Sequence, residues 1–345
     1  MKKNLCVILS CVLLTSVFTS CAKNSDLMPV KKVHDYVFDL GTYHEMDYDF
    51  AEDFIQNKYD GWDGACTAVA KKTDDGKMLV GRNMDLYISN KPAYIIRTAV
   101  DGNYKTIGIN YSNKTGDNYL DVLKKGGVTK TFYKIVPFLC TDVMNEKGLY
   151  VETNMRMGEY WATGKLKNAC TGTNPGAKHR ICSLILPRYL GENCATVKEA
   201  IELVKELDIY TPKAVGMDWN FCFMMADNTG DYGLLEIARN KISWLQNEPA
   251  QSNFFVTKEF QENEELACGV GRYIVVREGR DKVKNEQDMY ELMKKVNYSK
   301  VYDPENCDFD AGTEYLTEFG LGFLVHGVGV ELVGGKVYVV NRCVL

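Results

Sequence analysis

Histidine is scarce in this chain, four in 345 residues, and no HxxxH or CxxC spacing occurs. A structural zinc site therefore has none of its usual ligand patterns. No GxGxxG run follows a strand pattern and there is no Walker sequence, so nucleotide binding has no motif to rest on. Nothing resembling a Pro/Ser linker or a low-complexity run divides the sequence, which reads as one domain after an N-terminal segment. Basic residues are not gathered either: 41 Lys and Arg are scattered among 46 Asp and Glu, for a net charge of −5. That balance points away from nucleic acid as a partner.

What is present is the composition of a globular protein, 46% hydrophobic and 25% charged, with ample material for a buried core. The first twenty-one residues stand apart: Lys2 and Lys3, then the apolar run "LCVILSCVLLTSVF", then "TSC". This reads as a secretory signal too short to span a bilayer comfortably. Its end resembles the lipobox of bacterial lipoproteins, which would make Cys21 a lipidated anchor residue on an exported, membrane-tethered protein. A plain signal peptide cleaved near Ser20 is the other reading. Residues 22–65 then form an acidic, aromatic stretch read as tether and prosegment. Twelve cysteines in an exported chain invite a disulfide framework, but their spacing is irregular, and Cys140, Cys182 and Cys222 read equally as small buried hydrophobes.

From Cys66 onward, short apolar runs alternate with turn signals. "CTAVAKK" and "MLVGRNMD" flank "TDDGK", and "AYIIRTAV" and "YKTIGINY" flank "DGN", so two hairpins are expected. A partly helical run precedes the turn "NEKG" and the strand "LYVETN". Helices are expected over "HRICSLILPRYLGE" and over "ATVKEAIELVKELD", the second capped by Thr196 with Glu199 three residues on. A hairpin "WNFCFMMAD"/"YGLLEIA" follows, and strands at "GVGVELVGG" and "KVYVVNRCVL" close the chain. Strands at both ends with helices between suggest an α+β arrangement of antiparallel sheets covered by helices.

Gly64 and Ala65 precede Cys66. Cleavage of the Ala65–Cys66 bond would leave one residue holding a thiol and an α-amino group, that is, a nucleophile and a base that titrates near pKa ~8. Arg82 and Asp85 lie on the partner strand of the hairpin, which returns them towards Cys66. A guanidinium favours a thiolate and a carboxylate can hold an amine. Spacing alone equally allows a buried strand cysteine beside a surface ion pair.

"CTAVAKKTDDGKMLVGRNMD" resembles the opening of mature choloylglycine hydrolases, the N-terminal-nucleophile family that includes bile salt hydrolases and penicillin V acylases and is related to acid ceramidase. "DVMNEKGLYVETNM" resembles the family's next signature, which places Asn154 in an oxyanion hole, and "GVGRY" resembles the segment carrying an active-site arginine, here Arg272. The resemblance implies a four-layer αββα sandwich, a cysteine nucleophile, no cofactor and no metal. It also implies a small linear amide with an apolar acyl group as substrate: a conjugated bile salt, a penicillin V, an N-acyl ethanolamine or an acyl-homoserine lactone. Tyr87 and Met155 are candidate pocket residues and Met84 a core residue. Where relatives carry a Thr-Asn pair, Lys258 stands in "FFVTKEF", unless Asn253 is the residue that aligns. The upstream stretch is closer to the acid ceramidase arrangement, cut just before the cysteine. A homo-oligomer is compatible with the pattern. So is a ligand-binding lipoprotein on the same fold without turnover, for which Lys258 is the support.

Overall fold

The computed structural model describes residues 27–34, 37–58, 65–85, 92–111, 119–156, 170–214, 217–218, 220–261, 269–296, 302–303, 308–309, 318–322 and 338–342. Two strands, β1 (Lys31–His34) and β2 (Val37–Tyr43), and helix α1 (Tyr48–Lys58) come before the cysteine. Strands β3 (Ala65–Lys72), β4 (Met78–Asp85), β5 (Ala93–Thr98), β6 (Thr106–Tyr111), β7 (Asp142–Asn145) and β8 (Tyr150–Met155) follow. Helices α2 (Leu186–Asn193) and α3 (Val197–Glu206) separate these from β9 (Phe221–Ala226), β10 (Tyr232–Ala238), β11 (Lys241–Gln246) and β12 (Ala250–Gln251). Helices α4 (Val270–Gly279) and α5 (Glu286–Lys295) and strands β13 (Glu318–Gly322) and β14 (Tyr338–Arg342) complete the set used here.

Nine strands form one sheet in the order β11-β10-β9-β8-β7-β6-β5-β2-β1, and five form another in the order β12-β3-β4-β13-β14. All pairings in these two sheets are antiparallel except β2 with β5, which run parallel from Val37↔Ala93 to Tyr43↔Thr98. The expectation of antiparallel sheets holds for the other pairings of these two sheets and is corrected at this pair. The long excursion through α1 and the β3–β4 hairpin gives the chain room to return in the same direction.

Alternation along β3 and β4 builds the layers. Cys66, Ala68, Ala70, Val80 and Met84 pack into the core shared with the nine-stranded sheet. Their neighbours Val69 and Leu79 pack with Tyr273 and Val276 of α4 and with Met289, Leu292 and Met293 of α5. Helices α1, α2 and α3 cover the far face of the nine-stranded sheet, with Ala51, Ile55, Leu190 and Val204 fully buried. The order helix, sheet, sheet, helix is therefore the four-layer αββα sandwich.

The hairpins fall where the turn residues put them. Thr73 N–H donates to Lys77 O at 2.9 Å, and Gly76 takes φ 85°, a left-handed value that glycine adopts at low cost. Thr196 caps α3 by accepting from Glu199 N at 3.2 Å, and Glu199 Oε2 accepts from Ala195 N at 2.7 Å. The helix expected over "HRICSLILPRYLGE" is corrected in its first half: His179–Cys182 is a strand paired in parallel with Leu207–Tyr210. Pro187 sits in the first turn of α2, where its missing N–H costs nothing, and so marks the start of the helix. "GVGVELVGG" lies outside the described residues. Six described cysteines, Cys66, Cys140, Cys170, Cys182, Cys194 and Cys222, are buried and form no disulfide with one another.

The stretch before Cys66 belongs to this core. Val37, Phe38, Leu40 and Tyr43 of β2 and Ala51 and Ile55 of α1 are buried. Burial of each large apolar side chain is worth roughly 1.5–3 kcal/mol. Polar contacts add to it: Tyr48 Oη donates to Glu192 Oε2 at 2.7 Å, Glu52 Oε1 accepts from Cys182 N at 2.7 Å, and Asp39 holds Arg97 through both carboxylate oxygens at 2.8 Å.

Candidate active site around Cys66

The register of the β3–β4 hairpin pairs Ala65 with Asp85, Cys66 with Met84 and Ala68 with Arg82. Side chains two apart on a strand share a face, so Cys66, Arg82 and Met84 all point between the two sheets. Cys66 Sγ lies 3.4 Å from Met84 Sδ and 3.7 Å from Arg82 Nη2. Cys66 is 1% exposed.

Arg82 is itself fully buried and anchored from across the gap. Its Nε lies 2.8 Å from Asp142 Oδ1 and 2.5 Å from Glu152 Oε2, and its Nη2 donates to Thr153 O at 2.5 Å. Burial alone would favour loss of the guanidinium proton, but the two carboxylates outweigh it and hold the pKa well above the ordinary value. Tyr150 Oη donates to Asp142 Oδ1 at 2.7 Å and Thr141 Oγ1 donates to Oδ2 at 2.5 Å. Glu152 has a different balance. Burial pushes its carboxyl up to about 8, although Arg82 pulls it down.

The backbone of Cys66 is held from the other side. Its N–H donates to Asn253 Oδ1 at 2.9 Å, while its carbonyl accepts from Ser252 Oγ at 3.0 Å and from Arg272 Nη1 at 2.8 Å. Arg272 Nη2 also donates to Asn253 Oδ1 at 2.9 Å, and Nη1 to Thr67 Oγ1 at 2.6 Å. Asn253 Nδ2 donates to Met155 O at 2.5 Å, which ties this cluster to β8. The approach of Arg272 depends on Gly269, the N-cap of α4 at φ 84°: a Cβ there would stand 2.6 Å from Arg272 Nη2 and on top of Ser252 Oγ.

Asn154 completes the group. It lies two residues after Glu152, on the strand face turned towards the five-stranded sheet. Its side chain is fully buried, and among the described residues neither Nδ2 nor Oδ1 has a hydrogen-bond partner. Asn220, beside Arg156 at the end of the same strand pair, is fully buried and equally unpartnered. Such orphan amides cost about 1–3 kcal/mol each unless something binds them. A donor left open in a dry, rigid place can stabilise a developing oxyanion without reorganising.

Residues 66–252, more than half of the chain, match the family described as linear amide C-N hydrolases, choloylglycine hydrolase family. The chain belongs to that family. Among solved structures, a variant of conjugated bile acid hydrolase from Clostridium perfringens is similar at 17% identity and a TM-score of 0.47. That match covers 80% of this chain and 97% of the other. Penicillin V acylase from Agrobacterium tumefaciens is similar at 13% identity and a TM-score of 0.48, covering 80% and 86%. No curated protein matches the chain.

In this choloylglycine hydrolase family member, Arg82 and Arg272 both reach Cys66, and Asn154 lies on the facing strand between Thr153, whose carbonyl Arg82 meets, and Met155, whose carbonyl Asn253 meets. Asp85 ends β4 opposite Ala65, with Glu318 of β13 on its other side. The side chains of Ala65 and Asp85 lie outside the described residues, as do Tyr87 and Cys21. Lys258 is corrected. It is exposed at the start of a 3-10 turn, Lys258–Phe260, and Asn253 occupies the polar position beside Cys66 instead. The chain folds back at β12, which ends six positions before Thr257, so the asparagine nearer that strand reaches the cysteine. Met155 is corrected as well: alternation turns its side chain to the opposite face from Asn154, into the core, and only its carbonyl meets the cluster. Met84 is core, as expected, and touches the thiol. His179 is exposed and starts the short parallel pair.

Sequence reasoning missed Asp142, Glu152, Gln251 and Ser252. One signal was available: a glutamate inside the strand "LYVETN", where flanking apolar residues announce burial and a buried carboxylate needs a partner.

Proposed function

We propose that this linear amide C-N hydrolase works through Cys66 as an N-terminal nucleophile, exposed by cleavage of the Ala65–Cys66 bond. The observation that carries the reading is the division of labour around one residue. Asn253 Oδ1 sits where it would accept from the freed α-amine, Arg82 Nη2 faces the sulfur, and Asn154, between the carbonyls that Arg82 and Asn253 hold, has an amide with no partner among the described residues.

The α-amine takes the thiol proton, and the sulfur attacks the amide carbonyl carbon. Asn154 Nδ2 donates to the oxyanion. Collapse breaks the C–N bond, the ammonium returns its proton to the departing amine, and an acyl-thioester remains. Water then adds with the α-amine as base and releases the acid and the free thiol. Arg272 and Ser252 fix the Cys66 carbonyl, so the amine and sulfur keep their orientation. No step calls on a cofactor.

The substrate is an N-acyl amide with an apolar acyl group and a small polar amine; conjugated bile salts head the set to be screened. Cys21, as a lipid anchor, would tether the enzyme to a bacterial membrane after export. Cleavage leaves β2 and α1 paired and buried in the mature protein, because their contacts do not depend on the cut bond. A reading without turnover has lost its support, since Lys258 is on the surface.

The test is intact-mass and N-terminal analysis of protein beginning after Cys21, beside Cys66→Ala. The expected result is a new N-terminus at Cys66 in the parent alone, with the upstream fragment co-purifying until denaturation, and amine release from a panel of linear amides. A parent chain that stays whole and releases no amine from the panel refutes the proposal.

A further inference from the structure

Glu152 is an unusual occupant of its place. It lies in the middle of β8, fully buried, with no part in the backbone ladder beyond its own peptide. Its Oε2 is 2.5 Å from Arg82 Nε, and its Oε1 accepts from Gln251 Nε2. Asp142 Oδ1 is 2.8 Å from the same Nε. The guanidinium therefore has two buried carboxylates on one edge and Cys66 Sγ 3.7 Å from Nη2 on another. One cation cannot neutralise two carboxylates and a thiolate where all of them are buried from solvent. Asp142 is served by Tyr150 and Thr141 as well as by Arg82, whereas among the described residues Glu152 has Gln251 alone besides Arg82. Glu152 is thus the carboxylate with fewer donors around it.

We propose that Glu152 is a positioning residue for Cys66: its carboxyl braces the Arg82 guanidinium against the thiol and, when ionised, competes with the thiolate for that charge. The proposal rests on Cys66 being the nucleophile. With its proton on, Glu152 leaves the guanidinium to Asp142 and the sulfur. Burial favours that form up to about pH 8, so the competition begins on the alkaline side.

The neighbouring groups do not obscure this. Tyr150, on the same strand, and Cys222, on β9, are both held neutral far above their ordinary range, burial being the main cause in each. Arg156 and Glu236 lie further along the same face, where Glu236 accepts from Val256 N at 2.7 Å and Thr257 N at 2.9 Å. Besides Cys66 itself, Glu152 is the group beside Arg82 whose ionisation burial moves into the working range.

The experiment is the rate of Cys66 alkylation by iodoacetamide from pH 6 to 10, located by peptide mass mapping, in the purified protein and in Glu152→Gln. The amide keeps the brace but cannot ionise. The expected result is that E152Q lowers the apparent midpoint for Cys66 alkylation by about one pH unit, within the range that a neighbouring charge produces. The alkaline limb of kcat should move with it while KM stays. Coincident profiles would overturn the proposal, because a purely structural carboxyl has no effect on the thiol titration. Absence of Cys66 alkylation at every pH in the parent would instead refute Cys66 as nucleophile, and the proposal with it. Should E152Q not accumulate as folded protein, infrared titration of the parent decides. A buried protonated carboxyl band at pH 7 that is lost towards pH 9 supports the assignment, and its absence overturns it.

Discussion

Arg82 and Arg188 are both fully buried and both turn a guanidinium nitrogen to a thiol. The separations are 3.7 Å from Nη2 to Cys66 Sγ and 2.9 Å from Nη2 to Cys140 Sγ. They lie on opposite faces of the nine-stranded sheet, Arg82 between the sheets and Arg188 under the helices. Arg188 Nε donates to Pro137 O at 2.8 Å and Nη1 donates to Thr106 Oγ1, so its donors are spent on the fold. Burial pushes the Cys140 thiol up even though Arg188 pulls it down, which keeps it inert. Around Cys66 the backbone N and O are fixed by Asn253, Ser252 and Arg272, and the amide of Asn154 is left open. The closer arginine–cysteine contact belongs to the pair that the proposed mechanism does not use. What marks a site is polar capacity held in place and not used up.

The strongest way to break that comparison is to delete each sulfur. Cys66→Ala should abolish cleavage at Ala65–Cys66 and lower amide turnover by at least about 10³-fold, since in the proposed mechanism the residue supplies the bond-forming atom. Cys140→Ala should keep turnover within about two-fold and cost about 1–3 kcal/mol of stability through the donor it strands. Intact mass, steady-state rates and urea unfolding check all three quantities. If C140A were as inactive as C66A, the division between the two pairs would fail.

The next contrast exchanges activity for stability. Asn154→Ala should lower kcat by about 10²–10³-fold, the usual loss for one oxyanion donor, while leaving stability unchanged or higher, because two orphan groups are removed. Arg188→Met should do the reverse: about 3 kcal/mol less stable, as for a broken buried charge network, with kcat per folded molecule retained. Denaturant midpoints and active-site-normalised rates separate the two.

Much of this was legible in the sequence. The β3–β4 hairpin announced itself through the turn residues of "TDDGK", and the alternation of Cys66, Ala68 and Ala70 with Thr67 and Val69 fixed which residues share a face. Local chemistry placed the Thr196 cap and the strand carrying Asn154. Contacts between distant segments were not legible. Asn253 reaches Cys66 from 187 positions along the chain, and β12 alone decides whether it or Lys258 arrives. The same holds for Glu152, whose partner Arg82 is on the facing sheet, and for β2, whose parallel pairing with β5 depends on a crossover that no local pattern encodes. The half-strand at His179–Cys182 was hidden because a short apolar run reads alike as helix or strand until its partner is known.

Two glycines sharpen the contrast at a finer scale. A Cβ at Gly108 would stand 2.8 Å from Arg188 Nη2 and 2.9 Å from Cys140 Sγ, and one at Gly269 would meet Arg272 and Ser252. Gly108→Ala should cost about 1–3 kcal/mol as overpacking without changing kcat of the folded enzyme. Gly269→Ala should lower stability to a similar degree and depress kcat as well, because the displaced arginine holds the Cys66 carbonyl. Thermal unfolding together with single-turnover rates distinguishes a purely structural glycine from one that seats a site residue.

The smallest expected effect is a slope. Glu152 carries a folded-state pKa raised from 4.5 to about 8, so between those values the native state holds a proton that the unfolded chain has released. Its contribution to stability is complete below about pH 4.5 and is lost as pH rises through 8, opposite in sign to an ordinary salt-bridged carboxylate. Glu236 and Glu52 are raised chiefly by burial and act in the same direction. Glu152→Gln should therefore flatten the fall in unfolding free energy between about pH 5 and 8, while Arg188→Met, which leaves Glu152 in place, should shift the whole curve down and keep that fall. Urea unfolding at five pH values reads both. A slope unchanged in E152Q would mean that Glu152 is ionised throughout. Arg82 would then already be divided between two carboxylates, and the sulfur of Cys66 would have to draw its activation from the α-amine alone.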